Sequence, residues 1–285
     1  MTPILAVVWL AVGAVVAPPS EPPLAPPVPP ASEARTLLAG CLVPPTPESV
    51  TKLAAAVGAI PYSDARATQE LARQDTTIVP DPTRPGQAAR TVTTLSAFHG
   101  WDLPGPDAGT LEYFEDFARH DRIDQTSGQS ISAAHVLRGQ TCHLEAPVAS
   151  GRAMFELFET LDDRPYGILV TPDRRTIIAF IFDETQAEVD LAMTFDAPLA
   201  GLPVAGPADG DARLVMDDGG PRFLNGVIPG VPVVKLSRAA LLAAIDQPAK
   251  LTLSNSRFQP LVQRLGAAFG RAAYPLAFTG AAPST

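Results

Sequence analysis

Tyr166-Gly167-Ile168-Leu169-Val170-Thr171, then Pro172-Asp173, then Thr176-Ile177-Ile178-Ala179-Phe180-Ile181-Phe182 is the stretch that decides the fold. Two short apolar runs stand either side of a turn dipeptide, which is the pattern of antiparallel strands. A third run follows, in which Val189, Leu191, Met193 and Phe195 alternate with Glu188, Asp190 and Thr194. Alternation at period two places the first set inward and the second outward. The middle run is apolar at every position, so it is expected to be a central strand covered on both faces. Just upstream, Ser150 caps a helical pattern: Met154, Leu157, Phe158 and Leu161 form one stripe, with Arg152, Glu156 and Glu159 off it. A helix beside a meander gives an α+β fold, with antiparallel sheet or sheets and packed amphipathic helices.

Working towards the N-terminus, Gln140 to Ala146 and Arg90 to Phe98 read as strands, and Gly100 to Gly109 and Pro80 to Gly86 as loops. Thr46 is a helix N-cap with Pro47 at the first helical position. Val50, Leu53, Ala54 and Val57 then recur at helical spacing before Gly58. Ser63 to Arg73 reads as a second helix. Towards the C-terminus, Pro198 to Asp211 is a Gly/Pro/Ala linker. It precedes strand pieces at Arg213–Met216, Arg222–Leu224 and Val231–Leu236 and a helix capped by Ser237. A short strand at Leu251–Ser254 and a last helix over Phe258–Phe269 complete the pattern. The organisation expected is a signal peptide or uncleaved anchor over 1–17 and a Pro-rich disordered spacer over 18–33. An α+β domain then covers 34–200, and 201–285 is a smaller α+β domain or a continuation of the same one.

The export reading rests on Ile4 to Val16, an apolar run of signal-peptide length that is short for a membrane span, with small residues at Ala14 and Ala17. From Pro18 to Pro30, eight of thirteen residues are proline. Such a segment is extended polyproline II, with a reach on the order of 40 Å. Leu38-Ala39-Gly40-Cys41 has the form of a lipobox, but Ser32-Glu33-Ala34-Arg35 and the proline tract separate it from any apolar run. The expected location is the periplasm or the outside of the cell, with membrane contact only through an uncleaved N-terminal anchor.

The formal net charge is −9, and no basic cluster exists to neutralise phosphates, which argues against nucleic-acid binding. Two cysteines in an oxidising compartment pair most simply with each other, so a Cys41–Cys142 disulfide is expected. A loop of that length is worth roughly 4–5 kcal/mol in the chain-entropy picture. Cys142 and His143 are neighbours on a strand and point to opposite faces, so they do not form a thiol–imidazole pair.

No phosphate loop, dinucleotide fingerprint, nucleophile elbow, H-E-x-x-H or C-x-x-C motif is present, and no cofactor is implied. All four histidines, His99, His120, His135 and His143, fall within 45 residues. If Leu111 to Asp124 is helical, Glu112, Asp116, His120 and Asp124 share one side. Asp116 and His120 then converge on a metal, with His135 nearby, as in a metal-assisted hydrolase. If the segment is a strand with Tyr113, Phe114 and Phe117 buried, that convergence dissolves. Asp209-Gly210-Asp211 and Asp217-Asp218-Gly219 are turns before they are calcium sites, and Ser127-Gly128-Gln129-Ser130 is a polar turn. Trp101 is either an exposed ligand platform or a loop anchor on the core. The leading expectation is a non-enzymatic exported envelope protein that binds or scaffolds an envelope protein or small ligand. The alternatives are the hydrolase and an apolar carrier with a pocket between the Ser150–Leu161 helix and the meander.

Overall fold

A computed structural model describes residues 31–81, 83–105, 107–132, 135–183, 187–202, 212–216 and 233–258. The signal, residues 18–30 of the spacer, the Asp-Gly turns at 209–211 and 217–219, the strand at 222–224 and nearly all of the helix at 258–269 lie outside the described residues; the last three positions expected in the spacer, 31–33, are instead the first turn of a helix.

Three helices and the first strands come from residues 31–102. They are α1 (Ala31–Leu42), α2 (Pro47–Ala56), β1 (Ile60–Pro61), α3 (Asp64–Leu71), β2 (Gln74–Pro80) and β3 (Gln87–Asp102). Then come β4 (Thr110–Asp124), β5 (His135–Val148), α4 (Gly151–Leu161), β6 (Gly167–Val170), β7 (Thr176–Asp183) and β8 (Ala187–Thr194). The described part ends with β9 (Ala212–Met216), β10 (Val233–Leu236), α5 (Arg238–Ala244) and β11 (Ala249–Phe258). The strands form one eleven-stranded sheet in the order β1-β3-β4-β5-β11-β8-β7-β6-β9-β10, with β2 also paired to β3. Every pairing is antiparallel except β9–β10, which is parallel. The expected α+β class with antiparallel pairing and packed helices is what the sheet shows.

The caps behave as the sequence predicts. Thr46 accepts from the Ser49 amide at 3.0 Å and Ser49 Oγ accepts from the Thr46 amide at 2.9 Å, a reciprocal capping box. Ser63, Ser150 and Ser237 cap α3, α4 and α5 through one bond each, their hydroxyls accepting from the amides of Arg66, Ala153 and Ala240. The apolar sides of α1, α2, α4 and α5 bury against one face of the sheet: Leu37, Leu38, Val50, Phe155, Phe158 and Leu241 are all in the core. Phe155 and Phe158 meet Tyr166 edge-on at 5.8 and 6.2 Å between ring centres, which fills the space between α4 and the meander.

Cys41 and Cys142 form the expected disulfide, both fully buried, joining α1 to the middle of β5. Asn255 is paired across from Cys142 on β11. Its Nδ2 donates to the carbonyls of Cys41 (2.8 Å) and Val43 (2.9 Å), which the end of α1 leaves without helical partners. One covalent bond and two hydrogen bonds therefore fix α1 to adjacent positions on the sheet.

Elsewhere the structure decides one open alternative and corrects three expectations. Of the two alternatives for Leu111 to Asp124, the strand is the one adopted, as β4 between β3 and β5, with Tyr113 fully buried but Phe114 half-buried and Phe117 exposed. Residues 100–102 belong to β3 rather than to a loop, which begins at Leu103. On β7, Ile177, Ala179 and Ile181 are buried, but Ile178 and Phe180 on the other side are only half-buried, so its second face is not sealed. The short strand expected at Leu251–Ser254 is ten residues long, and it lies between β5 and β8 at the centre of the sheet.

Candidate functional site

The face of the sheet away from α1, α2, α4 and α5 carries the chemistry. The registers place Gly100, Glu112, His143, Ser254, Asp190, Phe180 and Gly167 in one row across β3, β4, β5, β11, β8, β7 and β6. Neighbouring strands are about 4.8 Å apart, so adjacent members are within side-chain reach. His143 Nδ1 and Ser254 Oγ share a hydrogen bond of 2.8 Å. Tyr62, just before α3, donates its hydroxyl to Glu112 Oε1 at 2.9 Å. Phe98, Phe114, Thr141, Ser256 and Glu188 form the next row on the same face, and Thr141 and Ser256 hydrogen-bond at 2.9 Å.

Aromatic rings lie over a glycine at each end of the first row. A Cβ on Gly100 would sit 2.3 Å from the Tyr62 ring, and one on Gly167 would sit 2.3 Å from the Phe180 ring. Only glycine permits these approaches, which cover bare backbone with a flat ring. The outer side of Tyr62 is occupied by Arg66, whose guanidinium is 3.3 Å from the ring centre and pairs with Asp102 at 2.9 Å.

Electrostatics on this face favour protonated carboxyls. Burial, and then the neighbouring Asp190, pushes the Glu188 carboxyl up to about 7. Burial also raises Asp190 and, further along β4, Asp116. Burial and the Glu112 carboxylate hold the Tyr62 proton on its oxygen well beyond the ordinary phenol range. The opposite behaviour is seen at Glu115 on the helix side: burial works against its charge, but hydrogen bonds from Gln140, Tyr113 and Arg138 hold it below the usual range.

A cleft of about 920 Å³ opens where the sheet ends, between the loops after β3, β5 and β8 and the start of β11. Asp102, Asp107, Thr110, Glu145, Asp196 and Lys250 contribute its polar lining. Glu145 and Lys250 pair at 2.6 Å. Glu145 lies two residues from His143 on the same face of β5, so the cleft borders the polar row there, although no member of the row lines it.

The residues singled out by sequence fall elsewhere. Asp116 and His120 are four apart on a strand, about 13 Å between Cα atoms, whereas a helix would have brought them side by side. His120 is buried beside Thr91, with Nδ1 2.9 Å from Oγ1, and His135 is its register partner on β5. Among the described residues no group of three or more His, Cys, Asp or Glu could hold a metal ion. Trp101 is 7% exposed and packs in the core on the helix side, so its indole offers no open platform. Ser127–Gly128 is a turn in which the Asp124 carboxylate accepts from the Thr126 and Ser127 amides. The row itself escaped sequence reading because its members come from seven strands, and only the register brings them together. The one local signal was the outward position of Glu188 and Asp190.

The row has an acid, an imidazole and a serine, but it lacks other parts of nucleophilic catalysis. Ser254 lies on a strand paired on both sides, to β5 and β8. The sheet ladders thus engage the surrounding amides, which are not free to stabilise an oxyanion. The His143–Ser254 bond is the contact a base and a nucleophile would make, but the carboxylate on the other side of His143, Glu112, already accepts from Tyr62. What the arrangement does offer is hydrogen-bond acceptors between apolar rings. No helix among the described residues is long and apolar enough to cross a membrane. No protein-family model, curated protein or solved structure matches this chain.

Proposed function

We propose that this chain is an exported, non-enzymatic envelope protein that binds a ligand on the face of its sheet opposite α1, α2, α4 and α5. The observation that carries the reading is the cleft of about 920 Å³, a ligand-sized volume, that meets the His143–Ser254 row at Glu145. Glu112, Asp190 and Glu188 make the face rich in acceptors, so the matching ligand is rich in donors, such as sugar hydroxyls or amines. Phe98, Phe114 and Phe180 supply the apolar surface beside them. The buried Cys41–Cys142 bond supports an oxidising compartment.

A thermal-shift panel of neutral saccharides, amino sugars and polyamines tests the binding reading. At least one compound is expected to raise the melting temperature of the wild type and to lose that effect in His143→Phe and Ser254→Val. Hydrolysis of an activated ester or glycoside, abolished by Ser254→Ala, would sink the non-enzymatic reading, and a panel without a binder would sink the ligand class. Export is tested by the intact mass of the protein from its native host under non-reducing conditions. A chain beginning at Val15 or Pro18 and two hydrogens light is expected; a mass retaining Met1 would mean a tethered domain instead.

A further inference from the structure

We infer that β2 is the self-association edge of this protein, pairing antiparallel with β2 of a second copy about a two-fold axis through Thr77. The inference does not rest on the binding reading. Among the described residues β2 is paired only to β3, and all seven of its residues are exposed. Its centre, Thr76-Thr77-Ile78-Val79, is four consecutive β-branched residues without a charge, and Ile78 and Val79 are 54% and 41% exposed. Edge strands of monomers are ordinarily shortened, bulged or guarded by lysine. The other outer strands, β1 and β10, are only two and four residues long. β2 has seven, and its single charge is Asp75.

The sequence is self-complementary in one register. A two-fold axis normal to the sheet keeps opposed residues on the same face, so the register that opposes the whole strand is centred on Thr77. Thr76 then faces the second copy's Ile78, Asp75 its Val79 and Gln74 its Pro80. Pro80 falls at the end of the ladder, where its missing N–H costs least. One step further, Arg73 faces the second copy's Asp81, and symmetry repeats the pair. Arg73 is 62% exposed and pairs within its own chain with Glu70 at 3.6 Å and Asp75 at 3.3 Å, exposed contacts that cost little to exchange for Asp81 of a second copy. The Asp81 carboxylate is held in place by the Thr83 amide and hydroxyl at 2.9 and 2.7 Å. Opposite charges thus close both ends of an uncharged β-branched centre. Pairing in this register joins two sheets into one, with both ligand-binding faces on the same side.

Sedimentation velocity of the full chain over a wide micromolar range tests the inference. A concentration-dependent monomer–dimer equilibrium is expected. Thr77→Lys abolishes it by setting two lysines directly opposite each other on the two-fold axis. Arg73→Asp sets acid against acid twice and raises the Kd about tenfold or more. Adding Asp81→Arg to Arg73→Asp restores the opposite charges and returns the Kd to within about threefold of wild type. Val136→Lys, exposed on a different strand, leaves the equilibrium unchanged. Far-ultraviolet circular dichroism checks that each variant keeps its sheet. A chain that is monomeric throughout overturns the inference, as does a dimer that survives Thr77→Lys or is lost in Val136→Lys. Failure of a folded Arg73→Asp, Asp81→Arg pair to recover association overturns the register.

Discussion

β3 and β4 pass through two environments within a single pair of strands. At one end Trp101, Leu111 and Tyr113 are buried beneath α1 and α2. At the other end the same ladder runs past the helices as an arm with β2 and the start of β5. There Phe117 and Val136, on the face that would continue the core, are 36% and 40% exposed. The arm keeps its register by other means. Asp121 is buried and accepts from Arg90 at 2.7 Å, with Arg119 at 3.3 Å. Thr91 and His120 hydrogen-bond on the opposite face, and Asp124 ties the turn beyond. The contrast teaches that a long ladder does not make a core. Hydrophobic stabilisation needs a second layer, and only the helix-covered half has one.

The largest effect should come from cutting the link between the layers. Replacing both Cys41 and Cys142 with serine releases a 101-residue closure and is expected to cost about 4–5 kcal/mol. Urea unfolding with and without reductant measures it, and a loss below about 1 kcal/mol would mean that Asn255 and helix packing alone dock α1. Asn255→Ala is next. It leaves the Cys41 and Val43 carbonyls without their side-chain donor in the core and should cost about 2–3 kcal/mol. An equal loss from a polar substitution in the arm, such as Thr91→Ala, would break the distinction between the halves.

How much of this was legible follows the same division. The helix-covered half is coded locally: Thr46, Ser150 and Ser237 announce their helices, and Val189, Leu191 and Met193 alternate cleanly into the core. The cysteine pair was readable from compartment and parity. The arm was not. Arg119, His120, Asp121 and Arg122 give a strand no apolar alternation, because ion pairs replace the core there. The bulge between Leu95 and Ala97 also reverses the inward phase of β3 halfway along, so a single period cannot describe it. The polar row was illegible for a different reason: it runs perpendicular to the chain.

A pH experiment sharpens the contrast between the two kinds of buried acid. Asp121 in the arm has two arginines, whereas Glu188 on the open face is pushed up to about 7 by burial and by Asp190. A carboxyl whose folded-state pKa is raised contributes its full stability below the unfolded value, and that contribution is lost as pH rises through the folded one. Between about pH 4.5 and 7, Glu188 therefore makes the wild type progressively less stable. Glu188→Gln should be more stable than wild type by on the order of 1–2 kcal/mol at pH 8 and indistinguishable at pH 4.5. Melting curves across that range check it; a gain that is the same at both ends would mean that Glu188 is not the group that titrates.

The smallest effect tests the comparison most directly, because it uses one residue type in both halves. Phe158 is fully buried on α4, and Phe158→Ala should cost about 3–5 kcal/mol through lost burial and a residual cavity. Phe117 is 36% exposed, with the Arg138 guanidinium 5.3 Å above its ring. Its removal opens no cavity and forfeits a solvent-facing cation–π contact, worth about 0.5–1 kcal/mol. The expected ratio between the two variants is therefore about fivefold in a common denaturation experiment. If Phe117→Ala costs as much as Phe158→Ala, something covers the arm in solution. A loss that grows with protein concentration would assign that cover to a second copy, since dimer stability depends on concentration and monomer stability does not.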